Sequence, residues 1–317
     1  LTVASIYEPI QVQLSQVEEK LDQVIRTAPL QMREQLTQAL RSGGKRIRPA
    51  LTLLAGKFHH YNLDVLIPMA ASMELLHIAT LIHDDTVDDS HLRHGKTSIN
   101  RAWGNSSAVL LGDYVFAASA DMTAETGNIR VIKVVAQTLM TICSGEIGQS
   151  LKPFNESREY YFQMIGNKTA SLFATCTESG AVLSEAPEEV VQCLRDYGYN
   201  LGMAFQIVDD ILDFTSREEI MGKPVASDLS RGVFTLPTIL FLERSQINRV
   251  KEILEGDKEK GAETLVETIR NSSVIEECYQ VVQSFCTRAC SALEQLPRNS
   301  VYNSLTGLAA YVSERKS

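Results

Sequence analysis

Apolar residues recur every three or four positions along almost the whole chain, and that period dictates helices. Between Pro9 and Ile25, the residues Ile10, Leu14, Val17, Leu21 and Val24 line one face, as an amphipathic helix requires. The pattern returns near residues 31–41, 47–58, 64–82, 105–124, 129–151, 158–184, 188–214, 235–254, 260–270 and 273–294, and again from Val301 to Arg315. Alternating strand patterns with turn dipeptides are nearly absent. The expected fold is all-α, a bundle of about a dozen helices. The 9 prolines and 18 glycines are spread thinly and form no linker, so residues 1–317 read as one domain. The weakly charged stretch 105–122 is expected in the middle of the bundle. Residues 216–234 break the period with charge, Gly and Pro, and read as a polar surface loop able to close over a site.

Hydrophobic residues make up 44% and charged residues 22%, which excludes a disordered or fibrous chain. A net charge of −9 argues against nucleic acid as a partner, but a local basic patch or a metal can still recruit an anion. Six cysteines without a CxxC pair read as reduced thiols of a cytoplasmic protein. Cys286 and Cys290, one helical turn apart, read as core residues. No apolar run approaches the roughly 18 residues of a membrane helix, so no stable membrane insertion is expected. No signal peptide is visible, though a start at Leu1 leaves targeting open.

Four aspartates crowd into "DDTVDD": Asp84, Asp85 and Asp88 form D-D-x-x-D, and Asp89 follows. On a helix Asp84 and Asp88 share a face and repel. They also end an apolar run, which puts anions at the unfavourable end of the helix dipole. Such a cluster is either a solvated helix end or a cation site. The same spacing returns at Asp209, Asp210 and Asp213, set among Phe205, Ile207, Val208, Ile211, Leu212 and Phe214. Carboxylates in so apolar a run need partners. Mg²⁺ fits, because it takes oxygen ligands from a few carboxylates and completes its shell with substrate phosphates. Two such sets on two helices can face each other across a bundle. The pattern predicts aspartates that hold Mg²⁺ and, through it, a polyphosphate.

The basic counterpart is "GGKRIRP", residues 43–49, with three cations in four positions at a helix start. Its glycines let the backbone approach a ligand, and Pro49 suits a first helical turn. Alone it would be a basic helix entry; beside two Mg²⁺-type clusters it reads as a diphosphate site. Further cations stand at Arg93, Lys96, Lys168 and Lys223.

From about residue 40 onward the chain resembles the trans-prenyl diphosphate synthases, specifically the homo-oligomeric bacterial polyprenyl type. The likeness rests on "GGKRIRP", "ELLHIATLIHDDTVDD", "GDYVFA", "NKTASLF", "FQIVDDILD" and "GKPVASDL" followed by "TLP". It implies an all-α bundle around a deep central cavity and a homodimer. It also implies condensation of an allylic diphosphate with isopentenyl diphosphate, with three Mg²⁺ in the site. Asp84, Asp85 and Asp88 match the first metal cluster, with Asp84 and Asp88 as direct ligands. Asp209 leads the second, supported by Asp210 and Asp213. Arg93, Lys168 and Lys223 resemble the cations that grip the allylic diphosphate. Lys45, Arg48 and His77 match the isopentenyl diphosphate site. Thr169 and Gln206 resemble the polar groups beside the reacting carbons. One departure stands out: His94 occupies the place of a second arginine in that isopentenyl diphosphate site, where it can donate a single hydrogen bond.

Thr80 and Ala79, four and five residues before Asp84, are small where aromatic rings stop chain growth early in the family. Leu76 and Met73, or Phe116 from a neighbouring helix, would then form a deeper floor, and the expected product is a long polyprenyl chain. The alternatives are a geranylgeranyl-length synthase, a class I terpene cyclase, or a non-catalytic partner subunit. His83 reads as a packed or hydrogen-bonded histidine, His59 and His60 as exposed, and Trp103 and Tyr114 as core or cavity lining.

Overall fold

The computed structural model describes residues 2–41, 43–93, 95–215, 229, 231–244 and 258–315. Helices dominate them: α1 (Val3–Ile6), α2 (Gln11–Thr27), α3 (Arg33–Leu40), α4 (Ile47–Gly56), α5 (Leu63–Val87), α6 (Ile99–Trp103), α7 (Asn105–Glu125), α8 (Ile129–Leu151), α9 (Arg158–Ile165), α10 (Ser171–Leu183), α11 (Glu188–Thr215), α12 (Leu236–Arg244), α13 (Lys258–Arg270), α14 (Val274–Ala292) and α15 (Ser300–Glu314). The described strands are β1 (Leu92–Arg93) and β2 (Lys96–Thr97), an antiparallel pair with Leu92 opposite Thr97 and Arg93 opposite Lys96. The expected stretch 158–184 is not one regular helix: a π-helical turn, Gly166–Ala170, joins α9 to α10. Of the stretch 235–254, residues 245–254 lie outside the described residues, as do 216–228 and 230 of the expected loop.

Buried side chains from Ile6 to Val312 form one continuous core. α5 lies at its centre. Asn62 caps it by accepting from the Asp64 N–H at 3.1 Å, and apolar residues surround it on all sides. Its closest partner is α7, to which a buried polar knot ties it. The Ser72 hydroxyl lies 2.9 Å from that of Ser119 and 2.6 Å from that of Thr123. α11 runs between α10 and α14. α4 meets α10 closely enough that a Cβ on Gly180 would lie 2.2 Å from the Thr52 carbonyl oxygen. That approach sets Arg48 of α4 over Phe173 of α10, 5.0 Å from guanidinium to ring centre.

Two expectations fail here. First, the expectation that no apolar run is long enough to cross a membrane fails on length and composition alone: α5 and α8 both reach that length, and most of α5 is buried inside the bundle. The scattered polar residues of α5 break the run without lowering its average, and this helix is the core of the fold. Second, α7 is not the middle of the bundle. It buries Ala108, Leu111, Val115 and Met122 but exposes Val109 and Leu110. α8 beside it exposes Ile129, Ile132, Met140, Ile147 and Leu151. The low charge of 105–122 thus marks an apolar outer face. Trp103 is also at the surface, its indole N–H donating to Gln38 Oε1 at 3.2 Å.

Candidate active site

α5 delivers the first aspartates at its end. Asp88 caps the helix, its N–H donating to the Asp84 carbonyl at 2.8 Å. Asp85 is buried and gripped by Arg93, whose Nε stands 3.1 and 3.0 Å from the two carboxylate oxygens and whose Nη2 stands 2.5 Å from Oδ1. The β1–β2 hairpin makes this possible by turning the chain back, with Gly95 at φ +73°. Asp84 is half-buried, and burial pushes its carboxyl up to about 6; Lys168 opposes the shift while Glu146 and Asp88 add to it. Asp88 is ion-paired with Arg231.

The π turn connects this cluster to the second. Lys168 projects from it to pair with Glu146. Burial works against the Lys168 ammonium, but Asp84 and Glu146 outweigh burial and raise its pKa. The next residue, Thr169, donates from Oγ1 to Gln206 Oε1 at 2.6 Å, and Gln206 Nε2 donates to Asp210 Oδ1 at 2.9 Å. The other Asp210 oxygen accepts from the Tyr161 hydroxyl at 2.5 Å. π turns are wider than α-helical ones and often mark functional positions; here the turn aims two successive side chains at two different clusters.

At the end of α11, Asp209 accepts from Arg315 Nη1 at 2.7 Å. Burial pushes the Asp209 carboxyl up, while Arg315, Arg48 and Lys45 pull it down. Lys45 and Arg48 of "GGKRIRP" therefore lie within electrostatic reach of the second cluster. Gly43 and Gly44 have φ +91° and +149°, values open to glycine. They lead Arg46, itself left-handed at φ 49°, into salt bridges with Glu18 and Glu74 at 2.6 and 2.8 Å. Arg46 is thus a brace. Lys45 is exposed over the Tyr311 ring at 5.2 Å. Arg48 has a buried Nε with no hydrogen-bond partner, a donor placed for an acceptor that the protein does not supply. Phe173 and Phe205 pack at a tilt, ring centres 5.2 Å apart, between Arg48 and Arg315.

The expected residues thus fall into two working groups. Asp84 and Asp88 stand with Lys168. Asp209, with Asp213 one turn on, stands with Arg48 and Lys45. His77 lies two turns before Asp84 on the same face of α5. Asp85 and Asp210 have both oxygens engaged by protein donors. Arg93, expected on a diphosphate, commits its fork to Asp85. Lys223 and His94 lie outside the described residues. His83 is held beside α7, its Nε2 3.2 Å from the Val109 carbonyl oxygen. Phe116 stacks on His83 at 6.3 Å, level with the cluster, so it is no deep floor. Sequence reasoning missed Glu146, Tyr161, Arg231 and Arg315, whose spacing from either motif carries no signal.

Among the described residues no three acidic, histidine or cysteine side chains form a ready-made metal cage. The available donors are carboxylate oxygens split between two helix ends, the chemistry of a hard cation whose shell a ligand completes. An all-α bundle with aspartate sets at the ends of α5 and α11 is the arrangement that the resemblance to the prenyl diphosphate synthases implies. Comparison with known proteins narrows this: the chain belongs to the polyprenyl synthetase family, whose model matches residues 30–271. It is 36% identical to heptaprenyl diphosphate synthase component 2 of Bacillus subtilis over 303 residues, covering 95% of this chain and 87% of that one. It is 34% identical to octaprenyl diphosphate synthase of Escherichia coli over 280 residues, 86% of each. The solved polyprenyl synthase of Caulobacter crescentus, in complex with calcium and isoprenyl diphosphate, superposes with a TM-score of 0.94 at 30% identity over 100% of this chain and 98% of that one.

Proposed function

We propose that this chain condenses an allylic diphosphate with isopentenyl diphosphate, head to tail and trans, into a long-chain polyprenyl diphosphate, and that it does so with Mg²⁺. The observation that carries this reading is the bridge Lys168–Thr169–Gln206, which joins the carboxylates of α5 to those of α11, with Arg48, whose buried Nε has no hydrogen-bond partner, within electrostatic reach of Asp209. Asp84, Asp88 and Asp209 would hold the metal, in three ions as the family likeness implies. Mg²⁺ bound there supplies Lewis-acid neutralisation of the leaving diphosphate.

The protein's own groups do the rest. Lys168 lends a positive charge to the departing diphosphate. Arg93 and Tyr161 act at one remove, locking Asp85 and Asp210 so that their neighbours point outward. The Thr169 and Gln206 oxygens present the negative ends of their dipoles to an allylic cation, and the bundle keeps water away from it. Arg48 and Lys45 anchor isopentenyl diphosphate, whose double bond attacks the cation before a proton leaves to the diphosphate. Ala79 is buried without bulk and Thr80 is half-buried, which supports a tail running past them along α5. The heptaprenyl and octaprenyl names of the relatives support the same length class.

The exposed apolar residues of α7 and α8 support a homodimer through that face. The Bacillus subtilis relative is named as one component of an enzyme, so a different partner chain is the second reading. The test is purified protein with Mg²⁺, farnesyl diphosphate and labelled isopentenyl diphosphate, the products dephosphorylated and sized. Linear alcohols beyond geranylgeraniol are expected. A cyclic hydrocarbon would replace the reading with a cyclase, and no product at all would replace it with a subunit that needs a partner.

A further inference from the structure

Three carboxylates of the two helix ends, Asp85, Asp88 and Asp209, are ion-paired with arginines, and these pairs are not alike. Arg93–Asp85 is a fork with the side chains 24% and 6% exposed. Arg231–Asp88 is a contact between side chains 34% and 33% exposed, and Arg315–Asp209 one between side chains 19% and 37% exposed. The first is built into the fold. The other two are only partly buried and lack the bidentate fork, and so are weaker and reversible. Both arginines come from outside the two aspartate motifs: Arg231 from the turn before α12, Arg315 from the residue that ends α15. We propose, resting on the metal assignment above, that Arg231 and Arg315 are exchange cations. Each holds a metal-facing carboxylate in the unloaded enzyme and passes to the diphosphate when metal and diphosphate bind.

Charge and geometry argue for this. A divalent ion on Asp88 or Asp209 repels a guanidinium on the same carboxylate, and the loaded site offers it a better acceptor. Arginine's planar fork matches a phosphate's oxygens. Arg315 lies over the Phe205 ring, 5.2 Å from its centre, a surface across which it can move without losing cation–π contact. The exchange keeps the empty site neutral enough to fold. It also makes Mg²⁺ alone a poor ligand and Mg²⁺ with diphosphate a good one, so metal loads with substrate.

Titration calorimetry tests this without turnover, using Mg²⁺ alone and then inorganic diphosphate in excess Mg²⁺. Arg315→Ala and Arg231→Ala are each expected to bind Mg²⁺ alone about two- to fivefold more tightly than wild type, the worth of a half-exposed ion pair. Each should bind diphosphate about tenfold more weakly, the worth of a charge-assisted hydrogen bond. In an Asp209→Asn background, Arg315→Ala should leave Mg²⁺ affinity unchanged, which separates exchange at Asp209 from a general change of charge. Arg315→Lys, which keeps the charge and loses the fork, should keep wild-type Mg²⁺ affinity and fall between the two in diphosphate affinity. If the alanine variants bind Mg²⁺ no more tightly, or diphosphate no more weakly, the exchange is wrong while the metal assignment stands. If wild type fails to bind diphosphate with Mg²⁺, the assignment fails and the exchange with it.

Discussion

Asp84 and Asp85 are neighbours on one helix, yet the fold gives them opposite tasks. Asp85 turns inward to Arg93 and cannot leave without stranding a buried charge, a loss of about 3–5 kcal/mol. Asp84 has no such fork, and burial pushes its carboxyl up to about 6, against about 3.9 for a free aspartate. A raised acid favours the folded state below the unfolded pKa, and that advantage is lost as pH rises through the folded value. At pH 7.5 the metal-free protein therefore carries a cost of about 3 kcal/mol from this one group. Asp84→Asn should raise the metal-free melting temperature at pH 7.5, and the gain should vanish as pH falls from 6 toward 4, as thermal scans across that range can show. Turnover should behave oppositely: Asp84→Ala or Asp209→Ala should lose at least about a hundredfold in kcat. The rise in melting temperature that Mg²⁺ with diphosphate gives wild type should shrink in both. Near-normal turnover in Asp84→Ala would remove the metal role. These aspartates were legible in the sequence because two charged clusters at matched spacing inside apolar runs demand a counter-ion. Arg231 and Arg315 were not, because a single arginine far from a motif looks like any solvated surface charge.

At the scale of elements, periodicity located nearly every described helix, since burial of one face imposes it. It could not locate the π turn at Gly166–Ala170: one extra residue in a turn leaves the apolar spacing almost intact, yet it swings Lys168 and Thr169 onto different neighbours. The α4–α10 contact has a comparable dependence on one residue. Gly180→Ala would drive a Cβ into the Thr52 carbonyl and part the helices, costing about 1–3 kcal/mol. Because Arg48 and Phe173 sit on those two helices, isopentenyl diphosphate should then show a higher KM with the allylic KM little changed. Product length belongs to α5. Ala79 lies five residues before Asp84, and Leu76 and Met73 lie roughly 12–16 Å beyond the cluster at 1.5 Å per residue. All three are buried. Ala79→Phe should shorten the product toward farnesyl length, as sizing of the dephosphorylated alcohols would show; an unchanged product would place the tail elsewhere. Phe116, stacked on His83, should not set that length.

For the whole molecule, low charge along 105–122 was readable in the sequence but its meaning was not, because an apolar run looks the same whether it faces the core or a partner. In the fold it forms, with α8, an uncovered apolar face. Leu110→Asp combined with Met140→Asp should convert a species of twice the 35.1 kDa chain mass to a single chain in light scattering; a wild-type protein already at one chain mass would end the dimer reading. Above the assembly stands the claim that the ends of α5 and α11, joined through the π turn, act as one diphosphate centre. Crystals grown with Mn²⁺ in place of Mg²⁺ and inorganic diphosphate, with ions located by anomalous scattering, test it most directly. Ions are expected on Asp84, Asp88 and Asp209 sharing one diphosphate, with Asp85 still on Arg93 and Asp210 still on Tyr161. Ions confined to one helix end, or coordinated by Asp85 or Asp210 instead, would contradict it.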